Sequence, residues 1–252
     1  DYDFRNYALT FFKRRLEYII EKYNLKSANN LINEIINQES FFPLFLKEIC
    51  VENTEMFRDP SLWRFFMDDF LAPLIQKSTS YKIWFPEVSS GEELYSLVIL
   101  LTELNLLKYV EIHASSISEI RMDKVRQGMF DSSKKEVNEA NFKRIFRNKD
   151  LNEYCSIKEN QGYINPTLLE NVKFFRQNAI FDRYPKGVKL IMWRNQMLYC
   201  NQILEERLLK NMNACLVPGG HLIIGLNEKI DYWNSNRDFT LVGENDSIYK
   251  KK

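Results

Sequence analysis

Histidine occurs only at positions 113 and 221, and the four cysteines, Cys50, Cys155, Cys200 and Cys215, stand far apart with no CxxC pair. That scatter argues against a zinc site or other metal centre and against a disulfide framework, and it suits a reducing compartment. Neither sign of charge is in excess, with 35 Lys and Arg against 34 Asp and Glu, so no general electrostatic force draws nucleic acid or an anionic bilayer. No apolar run approaches the roughly 18–20 residues of a membrane span. The opening residues, Asp1-Tyr2-Asp3-Phe4, carry neither a basic nor an apolar leader region. These absences give the expectation of a cytoplasmic protein without membrane insertion. Glycine is scarce as well, at 8 of 252 residues, so each glycine present carries more information.

What is present is apolar and aromatic. Hydrophobic residues make up 45% of the chain and aromatics 14%, the make-up of a folded protein that can bury a core. From Asp3 to about Lys77 the apolar spacing is helical. Phe4, Tyr7, Ala8, Phe11, Phe12, Leu16, Ile19 and Ile20 form one face, and Lys13, Arg14, Arg15 and Glu17 the other. Further helices are expected at Ser27 to Gln38, with Ser27 as cap, at Phe41 to Val51, and at Pro60 to Leu71, where Pro60 suits a first turn.

From Tyr81 the texture changes. Tyr81-Lys82-Ile83-Trp84-Phe85 is β-prone, Ser89-Ser90-Gly91 reads as a turn, and Glu92 to Leu107 as a strong helix. Strand, glycine turn and helix in that order open a doubly wound sheet. Strands are then expected at 110–114, 172–175, 188–193 and 221–226, and helices at 117–126 and 202–213. Such alternation predicts an α/β fold with a mostly parallel sheet. Phe239 to Val242 and Ser247 to Tyr249, joined by Gly243-Glu244-Asn245-Asp246, read as a terminal antiparallel hairpin. Residues 127–171 are too long for a simple connection and are expected to form an insertion or small subdomain. The expected division is a helical N-terminal domain, 1–77, and an α/β domain, 78–252, with the boundary near Lys77-Ser78-Thr79-Ser80.

Four strings stand out. The first is Val51-Glu52-Asn53-Thr54-Glu55-Met56-Phe57-Arg58-Asp59-Pro60. The second runs from Trp84 to Ser96 and ends Ser-Ser-Gly-Glu-Glu-Leu-Tyr-Ser. The third is Arg194-Asn195 with Tyr199 five residues after the arginine, and the fourth is Pro218-Gly219-Gly220-His221-Leu222 with Gly225 and Glu228 following. Each alone is weak. In this order, from Val51 to Glu228, they resemble the CheR-type chemotaxis receptor methyltransferases.

The resemblance implies a helical N-terminal domain on a Rossmann-like methyltransferase domain that takes S-adenosylmethionine. It also implies methyl transfer to glutamate side chains in the cytoplasmic domain of a chemoreceptor or related signalling protein. Thr54 and Arg58 would then lie near the methionyl part of the cofactor, Glu93 would accept from its ammonium, Asn178 would approach adenine, and Tyr199 would border the methyl group. Gly91, Ser116, Arg194 and Asn195 complete the implied cofactor site. Arg58 and Tyr199 are the implied catalytic pair, and Arg14-Arg15 the implied docking surface for an acidic helix bundle. Plainer roles exist for each: Arg58-Asp59 as a helix-start ion pair, Glu92-Glu93 as partners of a helix dipole, Tyr199 as packing, Arg14-Arg15 as a solvated face, and both histidines as core or edge residues.

The chain departs from the resemblance at the cofactor loop. Pro86-Glu87 stands where a small residue is expected, and Ser116 occupies the position of an acid that grips ribose hydroxyls. Lys189 stands in place of an acid, and Asn227 in place of a serine. Glu87 is a candidate to turn inward and take over the ribose, against the stiffness Pro86 gives the turn. Two rivals to the enzyme follow: a degenerate module that keeps the fold and signals by binding, and a small-molecule methyltransferase, which leaves the helical N-terminal segment unexplained.

Overall fold

In a computed structural model the chain is described at residues 2–50, 54–78, 80–179, 182, 184–230, 238–243 and 247–252. Three helices come first: α1 (Leu9–Lys22), α2 (Ala28–Asn37) and α3 (Phe41–Ile49). Next are α4 (Pro60–Phe65), a π-helical turn (Phe66–Phe70) and α5 (Leu71–Gln76). The α/β part runs β1 (Tyr81–Phe85), α6 (Glu92–Glu103), β2 (Val110–Ser116), α7 (Glu119–Arg126), β3 (Met129–Asp131) and α8 (Lys135–Lys143). It continues with β4 (Cys155–Lys158), β5 (Gln161–Ile164), β6 (Val172–Arg176), β7 (Val188–Met192), α9 (Gln202–Cys215), β8 (Leu216–Ile223), β9 (Phe239–Gly243) and β10 (Ile248–Lys251).

Seven strands form one sheet in the order β6-β2-β1-β7-β8-β10-β9. The first five are parallel to one another, and β10 runs antiparallel to both β8 and β9. Successive residues of the central strands point to opposite faces, so each strand feeds two cores. Ile83, Phe85, Leu190 and Met192 pack with α6 on one face, while Trp84 and Ile191 pack with Leu204, Leu208 and Met212 of α9 on the other. Beyond the partly exposed Lys82 and Lys189, the ends of β1 and β7 are buried on both faces, which is why Ile83–Phe85 and Leu190–Met192 are unbroken apolar runs.

The 127–171 segment folds as a three-stranded antiparallel sheet, ordered β3-β5-β4, with α8 beside it. Helices α1 to α3 enclose a core of their own, built on Ile19, Leu31, Phe41, Phe45 and Ile49. Met56, Phe57, Trp63 and Phe66 instead join the core of the main sheet. The buried Arg121 of α7 ties the two together, donating from Nε to the Lys47 carbonyl at 2.8 Å and from Nη2 to that of Cys50 at 2.7 Å. Among the described residues no helix is long and apolar enough to cross a membrane.

Several boundaries differ from the sequence-based expectations, each for a local reason. Helix α1 starts at Leu9; before it Tyr7 bridges to Cys200 and Ala8 N–H donates to the Tyr199 carbonyl, while Phe4 packs on Phe12 and Phe45. Helix α6 stops at Glu103 because Asn105 takes a left-handed φ of 56°, with Leu106 N–H donating to the Leu101 carbonyl. Ser118 caps α7, which leaves Ile117 outside it. The helical stretch from Pro60 continues past Leu71 to Gln76. Strand β8 runs from Leu216 to Ile223 rather than over 221–226, because Val188 pairs with Leu216 and Leu190 with His221, an irregular parallel pairing that takes in Pro218-Gly219-Gly220. Residues 51–53, 79 and 244–246, parts of the first string, the linker and the hairpin turn, lie outside the described residues.

Candidate functional site

Open parallel sheets bind ligands beyond the carboxyl ends of their strands, and at that edge the β1–α6 and β7–α9 connections face each other. Val88 N–H donates to the Ser115 carbonyl at 2.9 Å, Ser89 sits at φ 52°, and Gly91 at φ 97° turns the chain into α6. Glycine is required at 91 on two counts. Its φ disfavours any side chain, and a Cβ there would lie 2.6 Å from the ring of Tyr95, whose hydroxyl is fixed on the Val125 and Met129 carbonyls.

The opposite wall is held by one buried carboxylate. Glu228 accepts from the backbone N–H groups of Asn195 at 2.9 Å, Met197 at 2.7 Å and Gly225 at 2.6 Å. Burial pushes its pKa up, and those three donors together with Arg194 pull it back. Gly225 leaves room for the arrangement, since a Cβ there would meet Asn195 Nδ2 at 2.6 Å. Asn195 itself takes a left-handed φ of 57°.

Between these walls lie two adjoining hollows that share Glu87, Ser89, Gln196 and Tyr199. The larger, about 740 Å³, is mainly apolar, with Phe11, Ile117, Trp193 and Leu204 on its walls and Gln177 and Asn178 as polar groups. The smaller, about 470 Å³, is charged and is lined by Thr54, Glu55, Arg58, Glu93, Arg194 and Asn195.

Arg194 organises the charged hollow. Its Nη1 lies 2.6 Å from Glu93 Oε1 and its Nη2 2.5 Å from Asp59 Oδ2, with the arginine side chain 3% exposed. Asp59 is thus drawn to Arg194, at a left-handed φ of 57° that also sets the direction of α4. Phe57 shares that backbone region at φ 53° and is secured by a hydrogen bond from its N–H to Ser96 Oγ at 2.8 Å. Arg58 is carried on this clamped turn.

Tyr199 stands where the hollows meet. Burial raises its pKa and Arg58 opposes the rise, so at neutral pH the phenol keeps its proton. Phe11 packs on its ring at 4.5 Å between centroids.

Thr54, Arg58, Glu93, Asn178, Arg194, Asn195 and Tyr199 therefore line one continuous cleft. Ser116 and Gly91 do not line it. Ser116 is fully buried behind Glu87, to which its hydroxyl donates at 2.8 Å, and Gly91 shapes the loop from beneath. Arg14 is exposed on α1, and Arg15 turns inward to the Glu48 carbonyl, its guanidinium 4.6 Å from the Tyr18 ring centroid. Sequence reasoning missed Gln177, Gln196, Tyr7 and Phe11 as cleft residues. The two aromatics were visible only as an apolar helix face, and the two glutamines gave no local signal. His113 and His221 sit in β2 and β8, away from the cleft.

The cleft suits an elongated ligand with a flat apolar end, a polar middle and a zwitterionic end, the layout of S-adenosylmethionine. Comparison with known proteins agrees. The family model described as "CheR methyltransferase, SAM binding domain" matches residues 52–248. A Pseudomonas putida protein named "Putative methyltransferase Cher3" is 28% identical over 256 residues, covering 99% of this chain and 91% of that protein. "Chemotaxis protein methyltransferase 1" of Vibrio cholerae is 25% identical over 230 residues, 86% of this chain and 80% of that protein. The corresponding protein of Borreliella burgdorferi is 24% identical over 250 residues, 94% and 84% of the two chains. With a cleft of this shape at the carboxyl edge of the sheet and a family match over most of its length, the chain belongs to the CheR methyltransferase family.

Proposed function

We propose that the protein transfers a methyl group to glutamate side chains in the cytoplasmic helical bundle of a chemoreceptor or related signalling protein. The observation that supports this best is the convergence of Arg58, Glu93, Asn178 and Tyr199 on one cleft. When bound, S-adenosylmethionine supplies a methyl group already activated on a positively charged sulfur.

A glutamate carboxylate is ionised at neutral pH, so the protein has no proton to remove. Its task is to align donor and acceptor and to exclude water. Thr54 and Arg58 hold the amino-acid end, where a guanidinium suits a carboxylate. Glu93, steadied by Arg194 at one oxygen, keeps acceptor capacity for an ammonium. Asn178 reads the base. Tyr199, a neutral phenol at the junction of the hollows, orients the incoming carboxylate, and Arg14 on the exposed face of α1 meets the acidic bundle. The division into residues 1–77 and 78–252 belongs to this proposal too, with Met56 to Phe66 packed across it into the sheet core.

The test is incubation with a receptor cytoplasmic fragment and methyl-tritiated S-adenosylmethionine. Alkali-labile label released as methanol is expected, and its absence from every receptor fragment while the cofactor binds would overturn the substrate assignment. A second reading, a binding module without useful cofactor affinity, is favoured by one feature, the Glu87 side chain on the walls of both hollows.

A further inference from the structure

The Glu87 carboxylate has an unusual position. It belongs to the β1–α6 connection, yet it reaches the end of β2. There Ser116 Oγ donates to Oε1 at 2.8 Å and Ile117 N–H donates to Oε2 at 3.3 Å, while Ser89 N–H, from Glu87's own loop, donates to Oε1 at 3.2 Å. In nucleoside-binding doubly wound sheets an acid following the second strand accepts from a ribose hydroxyl. Here the end of that strand is Ser116, and its hydroxyl is directed to Glu87.

We propose that Glu87 is the ribose-binding acid of this protein, supplied from the first strand's loop and fixed in place by Ser116 and the backbone of Ile117. The inference rests on the cofactor reading above. Three observations support it. Glu87 lies on the walls of both hollows, between the apolar end and the charged end, where a ribose joins the two parts of the ligand. Its carboxylate is anchored at both oxygens rather than free to swing. Burial raises the pKa of this carboxyl, and the Arg121 charge, the Ser116 hydroxyl and the Ile117 and Ser89 N–H groups oppose that rise, all on the side away from a ligand's own donor.

The geometry also limits what Glu87 can do. An ionised carboxylate offers about four lone-pair sites, and three donors already occupy it. One site remains, so Glu87 accepts from one of the two ribose hydroxyls. The other is left to a different partner. The Ser89 contact ties this side chain to its own loop, and the Pro86 ring fixes the backbone φ just before it.

Calorimetric titration with S-adenosylhomocysteine and with its 2′-deoxy and 3′-deoxy forms tests the assignment. A charge-assisted hydrogen bond to one hydroxyl corresponds to roughly a 10- to 100-fold change in affinity. Glu87→Ala is expected to weaken S-adenosylhomocysteine by that factor. It should leave one of the two deoxy forms unchanged, because the wild-type protein has already lost that contact with it. The double variant Glu87→Ala, Ser116→Asp should recover most of the loss by placing the carboxylate on β2. Glu87→Gln, nearly isosteric, gives the same comparison if the alanine variant does not fold. Should the wild type bind S-adenosylhomocysteine and Glu87→Ala and Glu87→Gln bind it equally well, the assignment of Glu87 is wrong and the cofactor reading survives. Equal weakening of all three ligands would make Glu87 a loop support and would also overturn the assignment. Failure of the wild type to bind any of them removes the cofactor reading itself.

Discussion

Arg194→Gln is the perturbation that exposes how the charged hollow is built. The arginine side chain is 3% exposed and bridges Glu93 at 2.6 Å and Asp59 at 2.5 Å, and those carboxylates are 20% and 25% exposed. Removing one partner of a fully buried pair costs about 3–5 kcal/mol, because the other charge is left without compensation. Here both acids keep some contact with water, which lowers the expected loss to about 2–3 kcal/mol. For a chain of this length that is a fall of roughly 5–10 °C in melting temperature.

Arg194→Lys separates charge from geometry, since a single ammonium cannot match the two-pronged contact. An intermediate loss of about 1 kcal/mol or somewhat more is expected. Neutralising the whole group with Asp59→Asn, Glu93→Gln and Arg194→Met should restore most of the stability, and asparagine tolerates the left-handed φ of 57° at position 59. Urea unfolding at neutral pH reads all three variants. A change below about 0.5 kcal/mol in Arg194→Gln, the scale of an ordinary surface substitution, would refute the bridging role.

Gly91→Ala combines a φ of 97° with a Cβ 2.6 Å from a Tyr95 ring that cannot swing away, so a loss of at least about 1–3 kcal/mol by thermal denaturation is expected. Glu228→Gln turns one acceptor of three backbone N–H groups into a donor. It should cost about 2–3 kcal/mol in urea and weaken S-adenosylhomocysteine binding by loosening the loop that carries Asn195 and Tyr199. Burial holds the His221 imidazole down at about 4 from 6.5. The unfolded chain therefore takes up a proton there that the folded chain refuses, and the contribution present above 6.5 is lost as pH falls toward 4. Between about pH 8 and about pH 5 this removes about 2 kcal/mol, and a His221→Gln protein should lack that part of the pH dependence of its urea midpoint.

The fold was legible where burial is two-sided or periodic. Tyr81–Phe85 and Val188–Met192 read as strands because β-prone apolar residues fill both faces, and α6 announced itself through helical spacing behind Gly91. Strand β8 runs from Leu216 to Ile223 where 221–226 is expected, because an irregular pairing with β7 takes in residues 216–220, which no local pattern announces. The insertion was visible as polar and too long, but its three short strands have no alternation strong enough to separate them from loops.

The cleft was legible through motif letters more than through physics. Arg58, Glu93, Arg194 and Tyr199 stood in strings that carried the resemblance, and the structure places them on one cleft. What no local pattern contained was pairing across the chain: Asp59 with Arg194, Glu228 with three backbone donors, and Phe11 against Tyr199. Ser116 was read as lining the site, and it stands one layer back, behind a glutamate from a different loop.

Calorimetry with S-adenosylhomocysteine on the unaltered protein tests most directly whether this cleft binds a nucleoside-bearing cofactor. One site per chain with micromolar affinity is expected. No heat of binding at millimolar ligand, from protein shown to be folded, would contradict it.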